Sequence, residues 1–186
     1  MEAYLQHTDY REELDFKRVR FIVSMLEKYC QPGAKVLDIG CGNGNISRAL
    51  GSLGYQVTGI DFSDKAIAYA QTKNTFSNVS FSVRSAEEVQ ASENYDVIVC
   101  SEVLEHLNEP KSLTDTIARI LKPGGVLIAT VPNGWGPREA LITQPVQWLN
   151  KTAAKKAING FKNALGYSNT TLQSQSDDLT HVQFFT

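Results

Sequence analysis

Cysteine, histidine, tryptophan and methionine are all scarce in this 186-residue chain, with three, three, two and two copies. Cys30, Cys41 and Cys100 are dispersed with no C-x-x-C pair, which excludes a disulfide framework and a cysteine-rich zinc module and suits free thiols in a reducing compartment. Charge of one sign is also missing. The net value is only −2, so the basic footprint of a nucleic-acid binder is absent and that class of partner is disfavoured. No apolar run approaches the ~20 residues that cross a bilayer, and Met1 to His7 contains no basic start leading into an apolar stretch. The expectation is a soluble, cytoplasmic protein. With 42% hydrophobic residues the chain can fill one sizeable core, and it is read as one domain spanning 1–186.

What is present is an alternation of short apolar runs with helical patterns, the arrangement of a parallel sheet covered on both faces. Helices are predicted over Glu12 to Tyr29, where Phe16, Val19, Val23 and Leu26 share a side, and over Ile46 to Leu53, Lys65 to Lys73 and Lys111 to Leu121. In the last of these Leu113, Ile117, Ile120 and Leu121 form the apolar stripe. Ser63 has the chemistry of a helix N-cap. Strands are predicted around Val36-Leu37 and over Tyr55 to Ile60, Val79 to Val83, Tyr95 to Ser101 and Val126 to Val131, the last preceded by a turn at Leu121 to Gly125. Residues 1–30 then form an N-terminal helical segment, 31–133 a ligand-binding core, and 134–180 a helical lid or insertion.

The most informative stretch is Asp38-Ile39-Gly40-Cys41-Gly42-Asn43-Gly44, set between a strand and a helix. Glycines in such a loop let bare backbone N–H groups at a helix N-terminus meet a ligand. The next strand ends in Asp61, where a doubly wound sheet places an acid to accept hydrogen bonds from ribose hydroxyls. The bland alternatives are a tight turn for the glycines, an N-terminal helix acid for Asp61 and a core position for Phe62. The loop does not fit the G-x-G-x-x-G spacing of nicotinamide enzymes, because Asn45 stands beyond Gly44 where the third glycine of that motif does not fall.

With these features the segment from Arg20 to Thr130, and again around His181, resembles the class I S-adenosylmethionine-dependent methyltransferases. The resemblance implies an α/β, Rossmann-like doubly wound sheet with strand order 3-2-1-4-5. It implies that Asp38, Gly40, Cys41 and Gly42 wrap the methionine part of the cofactor, that Asp61 holds the ribose and that Phe62 packs on the adenine. Ser85-Ala86-Glu87 matches the adenine-edge segment, although many relatives carry Asp where Ser85 stands, and Ser101 closes the fourth strand beside the cofactor. Members of the family continue into a further helix and an antiparallel hairpin. This chain stops at Thr186, so the expectation is a sheet lacking that hairpin and a chain truncated at its C-terminus.

After Ser101 come Glu102, Glu105 and His106, more polar side chains than the fold requires. Together with His181 they resemble the metal site of the small-RNA 2′-O-methyltransferases. The ubiquinone-biosynthesis O-methyltransferases share the same pattern and the spacing from Arg20, which in that group reaches the cofactor carboxylate. A hydroxyl is a poor nucleophile at neutral pH, and a divalent cation lowers the pKa of the oxygen it binds and orients neighbouring hydroxyls. Mg, Mn and Zn are the ions considered, with Glu102 and His106 as the catalytic pair. The alternative is that the two glutamates are solvated and His106 caps a turn.

Residues 134–170 carry five basic residues, Arg138, Lys151, Lys155, Lys156 and Lys162, against the single acid Glu139, with Trp148, Leu149, Phe161 and Leu165 at helical spacing. A substrate lid, an amphipathic surface resting on anionic lipid and a plain packed helix with solvated lysines all remain open. Functionally the expectation is an S-adenosylmethionine-dependent enzyme that methylates the oxygen of a small hydroxylated substrate, with metal assistance. The rival is a cofactor-binding protein without catalysis.

Overall fold

The structure, a computed structural model, describes residues 2–131. The 134–180 lid and His181 therefore lie outside the described residues. Five strands, β1 (Lys35–Ile39), β2 (Gln56–Asp61), β3 (Val79–Val83), β4 (Tyr95–Ser101) and β5 (Leu121–Thr130), form one sheet in the order β3-β2-β1-β4-β5. Every neighbouring pair is parallel. The helices are α1 (Glu13–Tyr29), α2 (Asn45–Ser52), α3 (Asp64–Lys73) and α4 (Pro110–Ile120). This is the Rossmann-like arrangement expected from the sequence.

Alternation along β1 explains the two covered faces. Val36 points into a cluster with Val19, Val23 and Leu26 of α1, Ala49 and Leu50 of α2, and Ile67 and Ala70 of α3. Leu37 and Ile39, one and three residues on, point the other way, against Leu113, Ile117 and Ile120 of α4. The chain runs outward from β1 through β2 to β3 and then returns to place β4 on the opposite side of β1. The carboxyl ends of β1 and β4 thus open the crevice in which such sheets bind ligands.

Two details differ from expectation. Leu121, expected to close the α4 stripe, instead starts β5 opposite Tyr95, and Thr116 joins Leu113, Ile117 and Ile120 as a buried residue. The turn expected over 121–125 is a bulge within β5: pairing passes from Leu121↔Tyr95 directly to Val126↔Val97, leaving Lys122, Pro123, Gly124 and Gly125 unmatched. Pro123 has no N–H for the ladder and Gly124 sits at φ +79°, so the strand must loop out here. Before α1, a 3-10 turn over Ala3–His7 packs Tyr4 and Leu5 into the α1/α2 side of the core.

Candidate active site

The loop after β1 is built from left-handed residues. Gly40, Gly42 and Gly44 have φ of +68°, +51° and +73°. Space also requires glycine at two of them: a Cβ on Gly40 would lie 2.4 Å from Val103 Cγ2, and one on Gly44 would lie 2.5 Å from Phe81 Cζ. The first contact seats the loop against the segment after β4, and the second lets α2 close on β3.

The expectation of bare N–H groups is corrected at four residues of the loop. Gly40 and Cys41 both donate to Ile60 O, at 2.9 and 3.0 Å, and Gly44 donates to Cys41 O at 2.9 Å. Gly42 N–H donates to Asp61 Oδ2 at 2.9 Å. These four N–H groups are thus satisfied internally, and what Gly40 and Gly44 contribute is close approach. Cys41 is buried, and burial with the nearby Asp38 and Asp61 charges pushes its thiol well above the ordinary range, so it is not a reactive thiolate.

Asp61 joins loop and strand. Its Oδ1 accepts from Ser63 N–H at 2.8 Å while Oδ2 holds Gly42, which leaves each oxygen a further lone pair for a ligand hydroxyl. Beside it Phe62 is 74% exposed, which removes the core alternative for that ring. Val83, paired with Asp61 across the β2–β3 ladder, is also exposed. Ser85, Ala86 and Glu87 lie in the following turn, fixed by Ser85 N–H donating to Glu88 Oε2 at 2.7 Å, with Ala86 buried and Glu87 exposed.

Asp38 is buried and turned toward α2, where its Oδ2 accepts from Ser47 Oγ at 2.6 Å. Burial pushes its carboxyl up to about 7; the Ser47 hydroxyl and N–H pull it back, and the Asp61 charge adds to the rise.

At the end of β4, Ser101 Oγ and Thr130 Oγ1 are 2.8 Å apart, and Thr130 Oγ1 donates to Glu102 Oε1 at 3.1 Å. Glu102 itself lies at φ +56°, an unusual conformation for a side chain other than glycine. Its N–H donates to Thr130 O at 2.9 Å, which holds the turn. Arg18 Nη2 stands 3.7 Å from Glu102 Oε2. Glu105 is 1% exposed and neither of its oxygens has a hydrogen-bond partner among the described residues. Burial, reinforced by Glu102, pushes it up to about 7. His106 Nε2 lies 4.0 Å from Glu105 Oε1, beyond hydrogen-bond reach.

Arg20 is not brought to this cluster. It is 41% exposed and pairs with Glu2 at 2.7 Å and Glu13 at 2.9 Å. Arg18, two residues earlier and about 200° around the helix, is the arginine that faces β4. The sequence signal that would have found it is helical phase: Val19, Ile22 and Leu26 define the inward face of α1, and Arg18 borders it. Among the described residues no three His, Cys, Asp or Glu side chains stand close enough to share a metal ion.

The chain matches the family model described as a methyltransferase domain over residues 8–186, and it belongs to that family. It is 39% identical over 128 residues to the ubiquinone biosynthesis O-methyltransferase of Xanthomonas campestris pv. campestris, an alignment that covers 67% of this chain and 54% of that protein. It thus spans about half the length of the curated relatives it matches. Among solved structures, the PH0226 protein of Pyrococcus horikoshii superposes with a TM-score of 0.58 at 29% identity, covering 68% of this chain and 62% of that one. The magnesium protoporphyrin IX methyltransferase of Synechocystis, solved with bound SAH, gives a TM-score of 0.52 at 26% identity, covering 57% of this chain and 51% of that one.

Proposed function

We propose that this chain binds S-adenosylmethionine and transfers its methyl group to a hydroxyl of a small molecule. The observation that carries the proposal is Asp61, which closes the glycine loop through Gly42 and still offers lone pairs beside an exposed aromatic ring. The cofactor, when bound, supplies a methyl group on a positively charged sulfur. Asp61 would accept from the ribose hydroxyls, Phe62 and Val83 would cover the adenine, and the Ser85 to Glu87 turn would border its edge. Arg18 and Arg20 supply positive charge on α1, and the placement of Arg18 at Glu102 favours it over Arg20 for work inside the crevice. Glu102 and His106, at the β4 end, are assigned the handling of the proton that the substrate hydroxyl must lose. O-methylation in particular is supported by the activity for which the relatives at 37–39% identity are named.

A divalent ion held by Glu102, Glu105, His106 and His181 is the finer form of the proposal. The two unpartnered oxygens of Glu105 support it, whereas Glu102 is turned to Arg18 and Thr130. Activity after chelation, with Mg, Mn and Zn restored separately, decides it: full turnover in chelator rejects the ion. The basic character of 134–170 supports contact with anionic lipid, and co-sedimentation with phosphatidylglycerol vesicles reads it directly.

Titration calorimetry tests the central claim. The wild-type chain should bind S-adenosylmethionine, and Asp61→Ala should weaken binding by about 1.5–3 kcal/mol, the worth of hydrogen bonds to a charged acceptor. A folded Asp61→Ala protein of unchanged affinity would overturn the assignment.

A further inference from the structure

Arg48 makes four side-chain hydrogen bonds outside the crevice, and nothing in the proposed chemistry uses it. It lies on α2 and is 3% exposed. Its Nε donates to His7 O at 3.0 Å and its Nη1 to Asn43 O at 2.7 Å. Its Nη2 donates to Asp9 Oδ2 at 2.9 Å and to Asn45 Oδ1 at 2.8 Å. Asn45 Oδ1 in turn accepts from Asp9 N–H at 2.8 Å. One buried guanidinium therefore ties two stretches far apart in sequence, the N-terminal segment at His7 and Asp9 and the glycine loop at Asn43. A lysine could not make these four bonds, because they use the planar fork of guanidinium donors.

The position of Asn43 gives the network its consequence. It lies between Gly42 and Gly44, both left-handed, in the stretch of backbone with the greatest freedom to lose. Fixing its carbonyl holds the loop in its observed path, and the same cation fixes the segment that leads into α1. Tyr10, next in the chain, is drawn into the same environment: burial pushes its hydroxyl up to about 12, with the charges of Arg18, Asp15 and Asp38 and a hydrogen bond to Asn45 acting on it. The segment is anchored beyond this point too, by Tyr4 and Leu5 in the core and by the edge-on contact of His7 with Phe76 at 4.9 Å.

We infer that Arg48 is a positioning residue that couples the N-terminal segment to the cofactor loop, so that order in residues 2–10 and occupancy of the loop rise and fall together. The inference rests on the proposed binding of S-adenosylmethionine at that loop. Coupling of this kind is reciprocal, and is ordinarily worth about 5–150-fold in affinity.

The experiment pairs calorimetry with amide exchange on the wild type, Arg48→Gln, Arg48→Lys and Asp9→Asn. In the wild type, added S-adenosylmethionine should slow exchange at Leu5, Thr8 and Asp9, whose N–H groups are hydrogen-bonded in this segment. Arg48→Gln should weaken cofactor binding about tenfold and abolish the cofactor-dependent slowing, and Arg48→Lys should not rescue either. Asp9→Asn keeps its N–H bond to Asn45 and lies at the surface, so it provides a folded variant should Arg48→Gln fail to fold; it should weaken binding and reduce the slowing to a smaller degree. A wild type that binds cofactor with no change at Leu5, Thr8 or Asp9, or an Asp9→Asn protein indistinguishable from wild type in both readouts, overturns the coupling alone. A wild type that binds no S-adenosylmethionine overturns the proposed function itself.

Discussion

Gly40→Ala puts the architecture of the crevice under the most direct strain. Two separable costs apply. Holding alanine at φ +68° costs about 1–2 kcal/mol, the ordinary penalty for a Cβ in the left-handed region. The new methyl would also stand 2.4 Å from Val103 Cγ2, and pushing a packed side chain aside costs about 1–3 kcal/mol. Gly33 provides the internal control. It lies before β1, away from the crevice, at φ +89°, and a methyl added there would have nothing within 4 Å, so Gly33→Ala carries the backbone cost alone. Urea denaturation should place Gly40→Ala below Gly33→Ala by about 1–3 kcal/mol, equivalent to several degrees in Tm for a chain of this size. Because Val103 leads into Glu105 and His106, Gly40→Ala should also reduce methyl transfer, while Gly33→Ala should leave it intact. Equal stability of the two variants would refute the close approach as the reason for glycine at position 40.

Three further outcomes are expected. Asp38 has its carboxyl raised to about 7, so the folded state holds a proton that the unfolded state releases near 4; its contribution is full below that value and is lost as pH rises through about 7. Asp38→Asn should therefore flatten the fall in stability over that window, and an unchanged pH profile in chemical denaturation counts against a buried acid. Glu93 has the opposite sign: Arg84, with the Gln90 N–H and the Tyr95 hydroxyl, holds it down to about 2, so its contribution is present above about 4.5 and lost as pH falls through about 2. Arg84→Gln should move acid unfolding to higher pH, and circular dichroism against pH reads the midpoint. Glu102→Gly should relieve the left-handed strain of about 1 kcal/mol and leave stability at or above that of the wild type while abolishing methyl transfer; a strongly destabilised variant would show that the Thr130 and Arg18 contacts dominate.

The elements that were legible in the sequence are those with a local cause. β3 spans the alternating Val79 to Val83, β4 spans the segment built on the continuous apolar run Val97 to Cys100, and Ser63 caps α3 by accepting from Ala66 N–H at 3.3 Å. The β5 bulge was hidden because Leu121 pairs with Tyr95 across the sheet, a contact its neighbours in sequence do not announce. The glycine loop was legible as a motif, yet the destination of its N–H groups was not, since Ile60 and Asp61 lie about twenty residues away in the chain. Arg20 and Arg18 differ only in helical phase, and Arg48 acquires its importance from His7 and Asp9, some forty residues earlier. Long-range polar partners of this kind have no periodicity to read.

The acids at the strand ends bear on how turnover would finish. Asp38 feels the charge of Asp61, Glu105 that of Glu102, and Cys100, between them, is raised by burial and by both Asp38 and Glu105. Burial is the larger cause at all three, so the negative charge at these strand ends rests on Asp61 and Glu102, with Arg18 as the cation beside Glu102 among the described residues. In the proposed reaction the sulfur bears a positive charge before transfer and none after it. A field of this sign retains the reactant and loses its hold on the spent thioether once the methyl group has left. Product release would then draw on the same carboxylates that attract the donor, and raising ionic strength should narrow the difference in affinity between S-adenosylmethionine and its demethylated form.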